Sequence, residues 1–133
     1  MRGAPLDVSL AHFFNGIGLP MIQGYGMTET AAPFAATRVT DNVIGTVGQP
    51  APGSSVRISD DGELQVKGPN VFRGYHNLPE KTAEAFTEDG WLKTGDLASI
   101  DEGDVLRSPA VRRTSSSPPA ARTFLRFRWS RRL

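Results

Sequence analysis

The chain has 133 residues, 38% of them hydrophobic, with 14 glycines and 10 prolines, which fits one domain with a core and many turns. It has no cysteine and two well-separated histidines, His12 and His76, which excludes a disulfide frame, thiol chemistry and a His-clustered metal site. A formal net charge of +1 hides a split: residues 1–104 carry all 14 acids against seven Lys and Arg, whereas residues 105–133 carry eight Arg, no Lys and no acid.

Such a break marks a tail different in origin or function from the body. No apolar run approaches the roughly 18 residues of a membrane helix, and the first residues lack the apolar core of a secretory signal. The sequence therefore points to the cytoplasm, with peripheral membrane contact left open.

In chain order, Pro5 to Asn15 sets Leu6, Leu10, Phe13 and Phe14 at helical spacing, with Pro near the start and Gly16 at the end, and predicts an amphipathic helix. His12 falls beside its apolar stripe. Leu19 to Gln23 is a short apolar run that predicts a buried strand, delivering the following loop at its carboxyl end, where ligands bind in α/β sheets. Thr37 to Gly53, punctuated by Gly45, Gly48, Pro50, Pro52 and Gly53, predicts a connection with one short strand at Val43 to Val47.

A hairpin follows. Val56 and Ile58 alternate with polar residues, Asp60-Asp61-Gly62 turns, and Leu64 and Val66 alternate back. Pro79 to Phe86 has Pro at a first helical position, early acids, and apolar Ala83 and Phe86, and predicts a short helix. Asp89-Gly90 then turns into a strand at Trp91, and Trp91 and Phe72 read as core residues. There is no internal repeat. Thr114 to Arg122 has the composition of disorder, although Phe124, Leu125, Phe127 and Trp129 are unusually apolar for a linker.

Two strings carry chemistry. Gly24 to Thr30 reads G-Y-G-M-T-E-T. It places a flat aromatic, Tyr25, between glycines that let backbone approach a ligand, then a hydroxyl, Thr28, and a carboxylate, Glu29, a set suited to adenine, phosphate and Mg²⁺. Trp91 to Asp96 reads W-L-K-T-G-D and supplies Asp96 as an acceptor for ribose hydroxyls. Taken singly, Tyr25 also reads as a packed aromatic, Thr28 as a cap and Asp96 as a turn acid. The ordered pair is far more specific than either string.

On these motifs, residues from about Gly3 to Gly103 resemble an internal segment of a bacterial long-chain fatty-acyl-CoA synthetase, one of the adenylate-forming ligases. Such enzymes activate a carboxylate with ATP, release pyrophosphate and pass the acyl group from AMP to coenzyme A. The resemblance implies an α/β fold, the C-terminal part of the large AMP-binding adenylation domain: a helix and strand layer followed by a small antiparallel β unit. It implies that Gly3-Ala4-Pro5 forms the turn beside adenine and the acyl pocket, and that Gln23, Gly24, Tyr25 and Gly26 form the adenine-stacking loop. Thr28 would contact phosphate, Glu29 would hold Mg²⁺, both in catalytic roles, and Asp96 would bind ribose.

Gly45 to Pro50, Gly62-Glu63-Leu64 with Gly68, and Gly74-Tyr75 also fall in the family's order. The implied partners are small molecules, ATP, a fatty acid and coenzyme A, with no specific nucleic acid. Acyl chain length is not readable, because the family builds that tunnel upstream.

The family's phosphate loop lies upstream of this segment, and its C-terminal domain carries an adenylation lysine. The resemblance therefore leads us to expect a fragment inactive by itself. Two alternatives stand beside it: a remnant that only binds nucleotide or, through its arginines, polyanions, and a product without a role. Where the family continues Gly-Arg-Lys-Lys, this chain reads R-S-P-A-V-R-R-T. Joining the third base of each codon to the first two of the next lets Pro109 to Thr114 spell Gly-Arg-Lys-Lys-Asp, and Ser115 to Arg126 spell Ile-Ile-Val-Thr-Ala-Gly-Gly-Lys-Asn-Val-Ser-Pro. The expected division is thus an adenylation-domain segment at 1–103 and a disordered, frameshifted tail at 104–133.

Overall fold

The computed structural model describes residues 6–31, 33–101, 105–111 and 122–127. Helix α1, Val8–Gly16, begins later than Pro5 because the Asp7 carboxylate accepts the Leu10 amide at 3.0 Å and so caps the first turn. Strand β1, Met21–Gly26, extends past the expected Gln23, so Gly24, Tyr25 and Gly26 are strand residues rather than loop. A 3₁₀ turn, Thr28–Thr30, follows, and Ala31 closes it in the left-handed region at φ +58°.

The connection differs from expectation. Its strands are β2, Pro33–Ala36, and β3, Gln49–Pro50, while Val43 to Val47 forms turns. The hairpin holds as predicted, with β4, Ser55–Ile58, and β5, Glu63–Lys67, and so does helix α2, Pro79–Ala85, with its proline in the first turn. Strand β6, Leu92–Asp101, is longer than the Trp91 motif suggests. Strands β7, Val105–Val111, and β8, Arg122–Phe127, complete the described elements.

The strands form two four-stranded sheets, β3-β2-β1-β8 and β4-β5-β6-β7, and every pairing between them is antiparallel. The helix and strand layer followed by an antiparallel unit is present, but β1 sits in an antiparallel sheet too. The sheets meet where the Leu106 amide donates to Gly48 O and Leu106 O accepts the Val47 amide, both at 2.9 Å. One apolar cluster runs across this joint, with Tyr25, Phe34, Leu64, Val66, Leu92 and Leu106 at or below 1% exposure. Each such large side chain contributes roughly 1.5–3 kcal/mol by leaving water.

Trp91 is only half buried, flanked by the Arg57 guanidinium at 4.6 Å and the Lys67 ammonium at 5.8 Å from its ring centre, while Phe72 packs against the core from its rim. His12 and His76 are exposed. The expectation of disorder from residue 104 meets two strands. Val105 folds back on Asp101 and seats Leu106 in the core, and β8 occupies the edge of β1, whose unpaired backbone groups accept a β-prone run such as Thr-Phe-Leu-Arg-Phe. Residues 104, 112–121 and 128–133, the rest of the expected tail, lie outside the described residues.

Candidate nucleotide and magnesium site

The two chemical strings, far apart in sequence, converge in space. Tyr25 near the end of β1 donates its hydroxyl to Asp96 Oδ2 in β6 at 2.8 Å, and both residues are buried, at 1% and 4% exposure. Burial, and then the adjacent Asp96 charge, push the Tyr25 phenol far above its usual pKa, so it remains a donor.

Asp96 points inward because β6 bulges. Glu63 faces Leu97 while Gln65 faces Lys93, which leaves extra residues on β6, and Gly95 takes φ +75° between them. The Glu63 carboxylate accepts the Gly95 amide at 2.8 Å, and Thr94 gives its hydroxyl to Leu64 O at 2.8 Å while accepting the Asp96 amide at 3.2 Å. Glu63 and Thr94 thus fix the bulge.

The turn after β1 splits its residues between solvent and interior. Thr28 is exposed, so its hydroxyl is available to a phosphate. Glu29 is 3% exposed. Its Oε1 accepts the Tyr75 hydroxyl at 2.8 Å, whereas its Oε2 is buried with no hydrogen-bond partner. Thr30 locks the turn, its Oγ1 accepting the Met27 amide at 3.0 Å and donating to Met27 O at 2.9 Å.

A buried carboxylate oxygen without a donor is costly, and a cation is the natural partner for it. Among the described residues no three His, Asp or Glu cluster as a metal cage. That suits Mg²⁺, which is commonly held by one or two carboxylates together with substrate phosphates and water. The donor set therefore fits magnesium.

Gly24 is fixed by proximity, since a Cβ there would meet Ala35 O at 3.2 Å. Gln23 is half buried, and its backbone is tied to Thr37, whose Oγ1 accepts the Gln23 amide at 2.8 Å and whose amide donates to Gln23 O at 2.8 Å. Gly26 ends β1 at a register shift against Pro33. The expected turn Gly3-Ala4-Pro5 lies outside the described residues. The fold thus unites Tyr25 with Asp96 and Glu29 with Tyr75. Tyr75 was visible in sequence only as part of the Gly74-Tyr75 pair, with no role attached.

Residues 1–76 match the family model described as AMP-binding enzyme. A long-chain-fatty-acid–CoA ligase, FadD15, of Mycobacterium bovis is 53% identical over 104 residues, covering 78% of this chain and 17% of that ligase. Apo MatB from Rhodopseudomonas palustris superposes with a TM-score of 0.74 at 35% identity, over 80% of this chain and 24% of MatB. O-succinylbenzoate coenzyme A synthetase from Bacillus subtilis, solved in complex with ATP and magnesium ion, superposes with a TM-score of 0.71 at 32% identity, over 80% of this chain and 25% of that enzyme. The chain thus spans about a sixth of that ligase and a quarter of the two solved enzymes.

Proposed function

The chain belongs to the AMP-binding enzyme family, and from that premise we propose that it supplies the nucleotide- and magnesium-handling segment of an ATP-dependent long-chain fatty acid–CoA ligase. In that reaction a fatty acid carboxylate attacks the α-phosphorus of ATP, pyrophosphate leaves, and the acyl adenylate then passes its acyl group to the coenzyme A thiol. The long-chain acid as substrate rests on the 53% identity to the M. bovis ligase.

The observation that carries the reading is Glu29, a buried carboxylate with one oxygen tied to Tyr75 and the other without a partner. Bound magnesium would neutralise phosphate charge at the reacting centre. Glu29 would hold it, and Thr28, exposed one residue earlier, would donate to a phosphate oxygen. Asp96 would accept from the ribose, for which a carboxylate offers about four acceptor sites. Tyr25, packed in the core at 1% exposure, would act through the carboxylate of Asp96 rather than by stacking on adenine.

A second feature agrees with this reading. Leu10 and Phe13 on α1 and Ile17 at its C-cap are 47–60% exposed, an apolar face that further parts of a longer ligase would cover.

Two measurements test the proposal. Calorimetric titration of the chain should give ATP binding that is strengthened by Mg²⁺, with the strengthening lost in Glu29→Gln. Absence of nucleotide binding, or a magnesium effect that survives Glu29→Gln, overturns it. For the reaction class, exchange of the matched segment into the M. bovis ligase should preserve fatty-acid-dependent and coenzyme-A-dependent ATP consumption, and Glu29→Gln in the hybrid should suppress it.

A further inference from the structure

Tyr75 lies outside both chemical strings, yet it is the side chain that grips Glu29. Its hydroxyl reaches Glu29 Oε1 at 2.8 Å, on a segment between β5 and α2 that clamps the 3₁₀ turn at two further points. The Phe72 amide donates to Glu29 O at 2.7 Å, and Asn70 Nδ2 donates to Thr30 O at 3.1 Å. From this geometry we infer that Tyr75 is a positioning residue, which occupies one carboxylate oxygen of Glu29 and turns the other toward the cation; the inference rests on the magnesium role proposed above.

The way Tyr75 is itself held argues for a built device. Its amide donates to Thr82 Oγ1 in α2 at 2.9 Å, and that hydroxyl donates in turn to Leu78 O at 2.9 Å. Its ring meets Phe72 edge-on at 4.8 Å between centres, and Phe72 stacks on Phe86 at 5.7 Å. Gly74, at φ +149°, makes the approach to α2 feasible, because a Cβ there would lie 2.5 Å from Thr82 Cγ2. The phenol is therefore anchored at backbone and ring, and only its hydroxyl reaches the carboxylate.

A phenol has one O–H to give, so it can satisfy one carboxylate oxygen and no more. Here Oε1 is satisfied and Oε2 is not. A neutral donor on one oxygen fixes the carboxylate plane without cancelling its charge, which is how outer groups orient metal-binding side chains. Removal of such a partner commonly costs roughly 10–100-fold in metal affinity.

The test compares binding of ATP without metal and of the Mn²⁺–ATP complex to the full chain by calorimetry, with melting temperature measured in parallel. The ratio of the two affinities is the gain due to metal. Tyr75→Phe keeps the ring against Phe72 and should cut the gain roughly ten-fold while leaving metal-free ATP affinity unchanged. Thr82→Val, which removes the acceptor of the Tyr75 amide and leaves the phenol in place, should reduce the gain by less and serves where Tyr75→Phe does not fold.

A gain lost in Glu29→Gln but intact in Tyr75→Phe and Thr82→Val overturns the positioning role and leaves the magnesium role standing. A gain intact in Glu29→Gln, or absent from the unsubstituted chain, overturns both. Parallel loss of both affinities in Tyr75→Phe marks a purely structural tyrosine and also overturns the inference.

Discussion

Tyr25 and Asp96, 71 residues apart, share a 2.8 Å hydrogen bond in the interior, with the phenol donating and the carboxylate accepting. The bond ties the sheet of β1 to the sheet of β6 at the point where both chemical strings lie. It also changes what substitution of Asp96 does. A solvent-facing ribose acceptor could be removed without harm to the fold, but a buried one that satisfies a buried phenol cannot.

Tyr25→Phe should therefore destabilise the chain by about 1.5–3 kcal/mol, the range for a hydrogen bond to a charged group. Asp96→Ala should cost at least as much, because it leaves the phenol unpaired and opens a void. Urea unfolding midpoints check both. Wild-type midpoints would show that the bond contributes nothing to the fold.

The chain has two tyrosines, Tyr25 fully buried and Tyr75 half-buried with its hydroxyl on Glu29. Burial and then the Glu29 hydrogen bond push Tyr75 from 10.0 up to about 12, and Tyr25 is raised further. Unfolded tyrosines lose their protons near pH 10, so between about pH 10 and 12 the folded state binds more protons than the unfolded one, and stability falls as pH rises. Phenolate absorbance near 295 nm should thus appear together with the loss of circular dichroism. A phenolate step near pH 10 in a chain still folded would contradict these raised values.

Local pattern was legible where it was self-contained. The alternation of Val56, Ile58, Leu64 and Val66 around Asp60-Asp61-Gly62 gave the hairpin, and Pro79 with its early acids gave α2, because each signal lies within a few residues. The candidate site residues Thr28, Glu29 and Asp96 stand out in the sequence as residue types at a spacing.

What was not legible came from long-range contact. Tyr25 reads as an open aromatic between glycines, yet Phe34, Leu64 and Leu92 share its core and Asp96 takes its hydroxyl. The contact of Tyr75 is with a turn 46 residues earlier in the chain, which no window of sequence spans. Strand β3 is two residues long and exists only through its pairing with β2, so its alternation is too short to read.

Gly48 carries the sheet joint. It has φ +81°, and a Cβ there would lie 2.1 Å from the Ala36 carbonyl carbon, which as backbone cannot step aside. Gly48→Ala should cost on the order of 3 kcal/mol or more, from left-handed strain and displacement of β2 together. Gly16→Ala, where nothing lies within 4 Å of the added Cβ, should be neutral or stabilising by up to about 1 kcal/mol. Thermal melts of the two variants should separate clearly; equal melts would mean that the joint at Gly48 is not rigid.

We propose that the frameshifted tail begins later than Gly103. Leu106 is 0% exposed, packs in the shared core and exchanges hydrogen bonds with Val47 and Gly48. An out-of-frame residue has no selected pattern that would fit it so well to partners nearly sixty positions earlier. The body's own sequence is thus expected to run through Leu106, past Gly103, while the shifted spelling Gly-Arg-Lys-Lys-Asp begins at the third base of the Pro109 codon. We therefore predict a single-base insertion or deletion between the codons of Leu106 and Pro109. Sequencing of the gene should find codons for Pro109 to Arg126 that spell Gly-Arg-Lys-Lys-Asp-Ile-Ile-Val-Thr-Ala-Gly-Gly-Lys-Asn-Val-Ser-Pro in the neighbouring frame. Leu106→Ala should destabilise the fold by about 2–5 kcal/mol as a core residue does, whereas side-chain substitutions in β8, at the edge of its sheet, should change the melting temperature far less. Codons that spell no such segment in any frame would sink the frameshift account, and a large loss of stability from substitutions in β8 would show that the tail is part of the fold in its own right.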